Sequence, residues 1–216
     1  MSRLPAAQRR EQLLDRAATL FAEKGYARAT TAQLARSAGV TEPIIYRHFK
    51  SKRELFIALI ERAGAMTLAM WKRHLRGASD PAERLRRLIG DNPMVMPEGR
   101  DAFRVVLQAI TEVDDKEIHD AVEAHMNALH QFLVGEVERA QAEHKVTSRF
   151  PAEIIAWLLV DVALGYGILS AMRIQGQGRS PDGTHVRDVI ARMLVGPGSK
   201  NHDARREPRG EDDQEG

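Results

Sequence analysis

The sequence predicts an all-α protein of about nine helices, and three observations lead to that fold class. Apolar residues recur at three- and four-residue steps through most of the chain, which is the spacing of one helix face. Residues that favour helix starts, such as Thr30, Ser51 and Asp80, stand just before these segments. No run alternates apolar and polar residues with the period of two that is typical of strands. A chain of 216 residues has room for a small head and a larger body.

The first helix is expected from about residue 9 to residue 24, after a frayed arm of residues 1–8. Leu13, Ala17 and Phe21 recur on its apolar face. A short second helix should open at Thr31, because the preceding Thr30 and the Gln at position 33 have the spacing of a capping box. Gly39 then ends it, since glycine readily adopts the left-handed conformation of a helix exit.

A third short helix follows this turn at once. Thr41 is expected to cap it, and Pro43 suits its first turn because proline has no N–H to leave unpaired there. Ile45 and Phe49, four residues apart, should point inward. Two short helices joined by a tight turn form a geometry that presents the second helix to a DNA groove.

A fourth, long helix should begin after Ser51, which forms a Ser-x-x-Glu capping box with Glu54. Lys50, Lys52 and Arg53 stand beside its N-terminus, where free N–H groups and the helix dipole favour anions. This arrangement predicts a phosphate site. Residues 1–56 also hold eleven Lys and Arg against five Asp and Glu, a net charge of +6, which favours a nucleic-acid partner over a merely solvated basic face.

The candidate DNA contacts lie around this turn. Arg47 has a forked guanidinium that can make two hydrogen bonds to a guanine edge, so it is the candidate for base recognition. Lys52, Tyr46 and His48 are the candidates for phosphate contact. The complete predicted set is Thr31, Thr41, Glu42, Pro43, Ile44, Tyr46, Arg47, His48 and Lys52.

Over about residues 7–66, with the turn motif at 30–49, the chain resembles the DNA-binding head of the TetR family of bacterial transcriptional regulators. The family heads often carry Leu where Ile45 stands, which is a mild departure. The spacing that carries the resemblance is that of Phe21, Gly25, Tyr26, Thr30, Ala35, Gly39, Val40, Tyr46, Phe49, Lys52 and Leu55. The resemblance implies a helical effector-binding and dimerisation domain over residues 67–195 and a homodimer that binds an operator in double-stranded DNA.

The body should hold the rest of the helices. The fourth helix is expected to reach about residue 76, the fifth to open at Asp80, and the sixth to cover about residues 101–113. Asp114 should cap a long seventh helix to about residue 143, and Thr184 should cap the last. Residues 196–216 are rich in charge, Gly and Pro without an apolar face, and we expect them to be disordered.

Residues 154–172 form the most apolar segment, with Asp161 as their one charged residue. One interpretation is a membrane anchor. The favourable insertion free energy of nine Ile, Leu and Val residues roughly cancels the unfavourable insertion free energy of one central Asp, so insertion would be marginal. A helix buried between the core and a partner subunit is favoured instead. In the TetR family the last two helices form the dimer interface, so the predicted interface residues are Leu158, Val162, Gly165, Leu169 and Ile190.

Aromatic and methionine residues of the body suggest adaptable walls, although ordinary core is the better explanation for any one of them. Together with the resemblance, they predict a cavity for a lipophilic small-molecule effector between the fourth and eighth helices. Polar contacts are expected from Asp161, His125, Gln108 and Arg104, and a buried Asp161 would favour a cationic ligand. The predicted ligand-binding set is Trp71, Met70, Met94, Met96, Phe103, Gln108, His125, Met126, Trp157 and Asp161.

There is no cysteine, no His-Glu-x-x-His and no phosphate-binding glycine loop after a strand, so the sequence predicts no metal site, no cofactor and no catalytic residue. The first thirty residues lack the apolar core of a signal peptide, and we expect a cytoplasmic protein that is not an enzyme. The alternative is an all-α enzyme or small-molecule-binding protein with a non-regulatory head, which turnover of a bound ligand would reveal.

Overall fold

The computed structural model describes residues 4–90, 97–174, 178, 180–182 and 184–195, and only the backbone of residues 97–102. These residues contain nine α-helices and a 3₁₀ turn at Ala109–Glu112, so the all-α prediction is confirmed. Met94, Met96 and the tail at 196–216 lie outside the described residues. The helices are α1 Ala6–Lys24, α2 Thr31–Ala38, α3 Glu42–Tyr46, α4 Lys52–His74, α5 Pro81–Gly90, α6 Pro97–Gln108, α7 Lys116–Ala142, α8 Ala152–Ala171 and α9 Val186–Val195.

The start and stop signals of α2 act as the sequence predicts. The Thr30 hydroxyl accepts the Gln33 N–H at 3.2 Å, and the Gln33 side chain accepts the Thr30 N–H at 3.2 Å, so the capping box is complete. Gly39 has φ of +65°, a left-handed conformation that most residues avoid. The Val40 N–H then bonds to the Ala35 carbonyl at 3.0 Å and closes the helix end.

Other helix ends differ from the predictions. Thr41 precedes α3 but its side chain makes no capping hydrogen bond. Asp115 rather than Asp114 caps α7, accepting the N–H groups of residues 117 and 118 at 3.1 and 3.3 Å, because the 3₁₀ turn takes up the residues before it. The last helix begins at Val186 instead of directly after Thr184, since the Asp188 carboxylate reaches back to the N–H of residue 185 at 3.0 Å.

Two apolar clusters make up the core. The first joins the inner faces of α1–α3 to the first part of α4, with Phe21, Phe49 and Phe56 all at most 1% exposed. It also takes in Val105 from α6 and Ile118 from α7. The core of the N-terminal head therefore continues into the body without a break.

The second cluster lies between the end of α4 and helices α5, α7 and α8. A buried ion pair crosses it, in which Arg84 of α5 binds Glu136 of α7 through two hydrogen bonds of 2.7 and 2.8 Å. Glu136 is only 2% exposed, and the hydrogen bond that it accepts raises the pKa of Arg84. Arg84 also donates to the carbonyls of Leu75 and Ala78 just beyond α4, so the end of α4 is held against α5.

Helix α4 approaches α7 closely at Gly64. A Cβ atom at this position would lie 2.5 Å from Nδ1 of His125, a distance shorter than van der Waals contact permits. His125 is itself 6% exposed, and desolvation lowers its pKa, so the ring is neutral and packed. Glycine at position 64 is therefore a requirement of helix packing and not of backbone conformation.

We expect Gly64→Ala to destabilise the fold. Overpacking costs about 1–3 kcal/mol, which outweighs the gain of up to about 1 kcal/mol in helix propensity. The matched control is Gly135→Ala on α7, where an added Cβ meets nothing within 4 Å, and this variant should be more stable by about 0.5–1 kcal/mol. Urea unfolding of both variants measures the difference, and equal stabilisation by the two alanines would contradict the packing argument.

Candidate nucleic-acid interface and body cavity

Helix α3 lies on the surface of the head, with the predicted inward face buried and the opposite face open to solvent. Ile45 and Phe49 are each 1% exposed and anchor it to the first core cluster. The predicted contact residues are distributed around its outer side. Thr41, Pro43, Tyr46 and Arg47 are exposed, whereas Thr31, Glu42, Ile44 and His48 are half-buried.

Thr31 at the start of α2 connects the two helices of the turn. Its hydroxyl donates to Glu42 Oε2 at 3.0 Å and lies 3.2 Å from the Tyr46 hydroxyl. The carboxylate of Glu42 is thus partly occupied within the protein, on a face that would otherwise meet phosphates. These bonds fix the orientation of α3 relative to α2.

Arg47, directly after α3, is exposed, and none of the described residues forms a hydrogen bond or ion pair with its side chain. Its guanidinium is therefore available to an external acceptor. The residue type and position fit bidentate recognition of a guanine edge in the major groove.

Lys52 has a different environment from the one expected. Its ammonium donates to the carbonyls of Tyr26, Ala27 and Ala29 at 3.0, 3.3 and 3.2 Å, and it lies 4.3 Å from the centre of the Tyr26 ring. All three donors of the group are used by the segment that connects α1 to α2. The structure therefore revises the expected phosphate contact of Lys52 to a structural contact within the head.

The predicted phosphate site at the start of α4 is also revised. Ser51 caps the helix by accepting the Glu54 N–H at 3.0 Å, but the Glu54 carboxylate accepts the Lys50 N–H at 2.6 Å, so a carboxylate lies at this helix end. Arg53 is paired with Asp115 at 3.2 Å and Glu117 at 2.7 Å at the start of α7. Of the three basic residues, Lys50 alone has an exposed side chain for which the described residues show no partner.

Gln108 at the end of α6 joins the body to the head. Its amide N–H donates to the Phe21 carbonyl at 2.6 Å, and its carbonyl accepts the Tyr26 N–H at 2.8 Å. Both partners lie at the end of α1, more than eighty residues earlier in the chain. The predicted role of Gln108 as a ligand contact is therefore not supported, because the bonds to the head use its amide group.

A cavity of about 150 Å³ lies in the body between α4, α5, α7, α8 and the start of α9. Its wall is mainly aliphatic, with Trp71 from α4, Tyr166 from α8 and Arg187 from α9 as its larger polar or aromatic members. Among the described lining residues there is no Asp or Glu. The composition suits an apolar ligand.

Trp71 is the one described member of the predicted ligand set that lines this cavity. Phe103 packs against Gly167 of α8, where a Cβ would lie 2.5 Å from its ring. Trp157 stacks on His130 with ring centres 4.3 Å apart. Asp161 and Arg104 are exposed, so the prediction of a buried carboxylate at Asp161 is wrong. The other members of the predicted ligand set that do not line the cavity are Met70, Gln108, His125 and Met126.

The predicted interface residues on α8 and α9 differ in their exposure. Leu158 and Leu169 are exposed at 48% and 42%, and a Cβ at Gly165 would meet nothing within 4 Å. Val162 and Ile190 are half-buried and contribute to the cavity wall. Helix α8 is long and apolar enough to cross a membrane, with a mean hydropathy of 2.0, and 28% of that window is buried inside the protein.

One group of possible metal ligands occurs in the described part of the chain. His119, Asp120 and Glu123 are exposed neighbours on α7 whose ligand atoms lie within 4.8 Å of one another. Lys116 is already bound to Asp120 at 2.6 Å. Exposed acidic groups of this kind are common without a bound ion, so their presence is not evidence of a metal site.

The fold and the outer face of α3 define a helix-turn-helix protein with an all-helical body. Residues 13–59 match the family model described as bacterial regulatory proteins, tetR family. The N-terminal head of the chain is therefore similar to the DNA-binding region of this family. The chain is 38% identical over 88 residues to the transcriptional activator FasR of Mycolicibacterium smegmatis, and 42% identical over 80 residues to the nucleoid occlusion factor SlmA of Marinobacter nauticus.

These matches cover 41% and 37% of this chain, and 40% and 41% of the relatives, so the chain spans less than half the length of either curated relative. The likeness in fold extends further. A candidate transcriptional regulator from Saccharomonospora viridis, solved in complex with choline, superposes over 86% of this chain and 93% of its own with a TM-score of 0.72. At a sequence identity of 22%, this match shows a shared fold and does not show a shared function.

We expect Lys52→Ala to destabilise the head without changing the salt dependence of DNA binding. The loss of hydrogen bonds from a charged group costs about 1.5–3 kcal/mol, whereas a lysine without a phosphate contact releases no counterions. Lys50→Ala is the control, because Lys50 is exposed and its side chain has no described partner. Thermal unfolding and binding isotherms over a salt series measure both effects. A flatter salt dependence in Lys52→Ala with unchanged stability would restore the phosphate contact.

Proposed function

We propose that this protein is a homodimeric transcriptional regulator that binds an approximately palindromic DNA site and is released from it by a small lipophilic effector. The observation that carries the proposal is the outer face of α3 and the residue after it, Arg47, whose exposed side chain has no partner among the described residues, while Ile45 and Phe49 anchor this segment to the core. Its action as a repressor, in the cytoplasm and without catalysis, is part of the same proposal.

The proposed division of the chain is a DNA-binding region at residues 7–66, with its motif at 30–49, and an effector-binding and dimerisation region at 67–195. Helix α4 belongs to both, since it begins in the head at Lys52 and ends in the body at His74. The tail at 196–216 is proposed to be disordered. A dimer places two α3 helices about 34–36 Å apart, so that each reaches one of two successive major grooves.

Release by an effector requires that the cavity and the head be mechanically connected. Trp71, near the end of α4, lines the cavity, while the other end of α4 carries Lys52. A second connection runs through α6, which contacts α8 at Phe103 and the head through Gln108. An effector acts only through its different affinities for the DNA-binding and released arrangements, so movement of α4 or α6 has to differ between them.

Two features support dimerisation through α8 and α9. Large apolar side chains are exposed on both helices in the single chain. Either a second copy of the chain or a membrane would bury these side chains. The second feature is that Leu158, Gly165 and Leu169 recur on one stripe of α8, which a dimer also explains. These exposed apolar residues are Ile154, Trp157, Leu158, Ile168, Leu169, Val186, Val189 and Met193.

The choline bound by the structural neighbour suggests one candidate effector, but the cavity of this chain does not favour a cation. No described lining residue is acidic, and Arg187 and His185 both contribute to the wall. Asp161, the carboxylate that the sequence suggested for such a role, is exposed and outside the wall. An uncharged ligand is therefore the better proposal.

Relatives with this head include both a transcriptional activator and a nucleoid occlusion factor, so the head alone supports DNA binding and not one particular use of it. The position of the bound sites separates the two. Selection of bound sequences from random DNA, followed by their location in the source genome, supports gene regulation if the sites lie in front of genes. Sites scattered without relation to genes would oppose it.

Arg47→Ala should weaken binding to the selected site by about 1–3 kcal/mol and relax the preference at one base pair of each half-site. The reason is that a bidentate guanidinium contact distinguishes guanine from other bases. Binding isotherms on the selected duplex and on a scrambled duplex measure this effect, with Lys50→Ala as the control for simple loss of positive charge. Equal weakening on both duplexes would show that Arg47 contacts only the backbone.

Gly165→Leu should raise the dissociation constant of the dimer about tenfold or more, because a bulky side chain would hold two α8 helices apart. A Cβ at this position meets nothing within 4 Å inside the chain, so an effect on association reflects contacts between chains. The control is Gly135→Leu, at an equally open helical glycine on α7. Sedimentation velocity over a concentration series measures the constants, and an unchanged constant for Gly165→Leu would assign the interface elsewhere.

A further inference from the structure

Trp71 lines the body cavity and carries a buried hydrogen-bond donor for which the described residues provide no acceptor. Its side chain is 5% exposed, and the centre of its ring lies 5.6 Å from that of Phe132. Buried donors are almost always paired in folded proteins, because an unmade hydrogen bond in the interior is costly. A lone donor at the wall of an apolar cavity is therefore a candidate for ligand recognition.

Nδ1 of His125 is another buried side-chain nitrogen for which the described residues provide no hydrogen-bond partner. It faces Gly64 between α4 and α7, and His125 is not part of the cavity wall. The contact with Gly64 explains the position of that ring by packing alone. Trp71 differs from His125 in that it belongs to the second core cluster and also lines the cavity.

The charged groups of the wall argue for an uncharged ligand. The Arg187 guanidinium donates to the Gly90 carbonyl at 2.8 Å, and it lies 3.9 Å from the Asp188 carboxylate, so its charge is already partly compensated. Arg187 is also exposed. A carboxylate inside the cavity would lose its hydration to apolar walls, and a cation would find no acidic partner among the described lining residues.

We infer that the effector is a neutral, mainly apolar molecule of about the size of a substituted benzene that carries one hydrogen-bond acceptor, and that this acceptor binds the indole N–H of Trp71. The inference rests on the proposed role of the cavity as the effector site. A volume of about 150 Å³ sets the size, since a cavity of this volume accommodates benzene. Nε1 is buried, so binding of the acceptor requires a rotation of the indole or of a neighbouring side chain.

Three probes of nearly the same shape test the inference. Acetophenone has a carbonyl acceptor, α-methylstyrene has a methylene group in its place, and benzoate has a carboxylate. We expect acetophenone to bind the full-length protein about tenfold more tightly than α-methylstyrene, and benzoate to bind more weakly than acetophenone. In Trp71→Phe, which keeps an aromatic ring without the N–H, the advantage of acetophenone should disappear.

The matched control is Trp157→Phe, which removes the other tryptophan of the chain, exposed and outside the cavity wall. Calorimetry should show that it retains the full advantage of acetophenone, because any effect of Trp157 on dimerisation changes the affinities for acetophenone and α-methylstyrene alike. A second measurement does not depend on a variant. The two indole N–H resonances of the ¹⁵N-labelled protein can be distinguished by their loss in each variant, and the Trp71 resonance should move downfield with acetophenone and not with α-methylstyrene.

The inference is overturned if α-methylstyrene binds as tightly as acetophenone, if benzoate binds best, or if none of the three probes binds. Should Trp71→Phe fail to fold, the Trp71 resonance of the unmodified protein decides the question. Binding of the selected DNA duplex without any probe is measured on the same preparation. Loss of that binding would count against the proposed function, whereas intact DNA binding without acceptor selectivity would count against the ligand class alone.

Discussion

The connection between α1 and α2 leads into the helix that packs against α3, and two helices from outside the turn hold this connection in place. Lys52 of α4 binds three of its carbonyls, and Gln108 of α6 binds the N–H of Tyr26 and the Phe21 carbonyl. The Tyr26 ring stacks on Phe56 at 4.2 Å. Backbone groups of a connection that would otherwise need water are thus bound to the helices that enter the body.

This arrangement gives the head two connections to the cavity instead of one. Helix α4 is continuous from Lys52 to Trp71, so its displacement would be felt at both ends. Helix α6 reaches α8 through Phe103, which fits against Gly167 next to the cavity residue Tyr166. Because close packing at Gly167 leaves no room for independent movement, a shift of α8 would be passed to α6 and then to Gln108. Packed elements of this kind have a few discrete arrangements, which is what a ligand-controlled equilibrium needs.

The head was largely predictable from the sequence, and the cavity was not. The Thr30 box, the turn at Gly39 and the inward Ile45 depend on residues within a few positions of one another, so local patterns identify them. The partners of Lys52 lie 23–26 residues away and those of Gln108 lie 82 and 87 residues away. Spacing along a helix says which side chains share a face but not which distant backbone group will face them.

The surroundings of helix α8 could not be predicted from its sequence pattern either, and they bear on function. Helix α8 is apolar nearly all round, so the spacing of its apolar residues does not separate those that line the cavity from those that face outward. For the same reason the spacing does not show that Asp161 is exposed. In the structure one side of α8 contributes Leu159, Val160 and Ala163 to the cavity, while Leu158 and Leu169 are exposed on the surface proposed for the partner subunit. The proposed effector site and the proposed dimer surface therefore share one helix. By linkage, a ligand that displaces α8 must alter the strength of the dimer, and the state of association must alter the affinity for the ligand by the same factor.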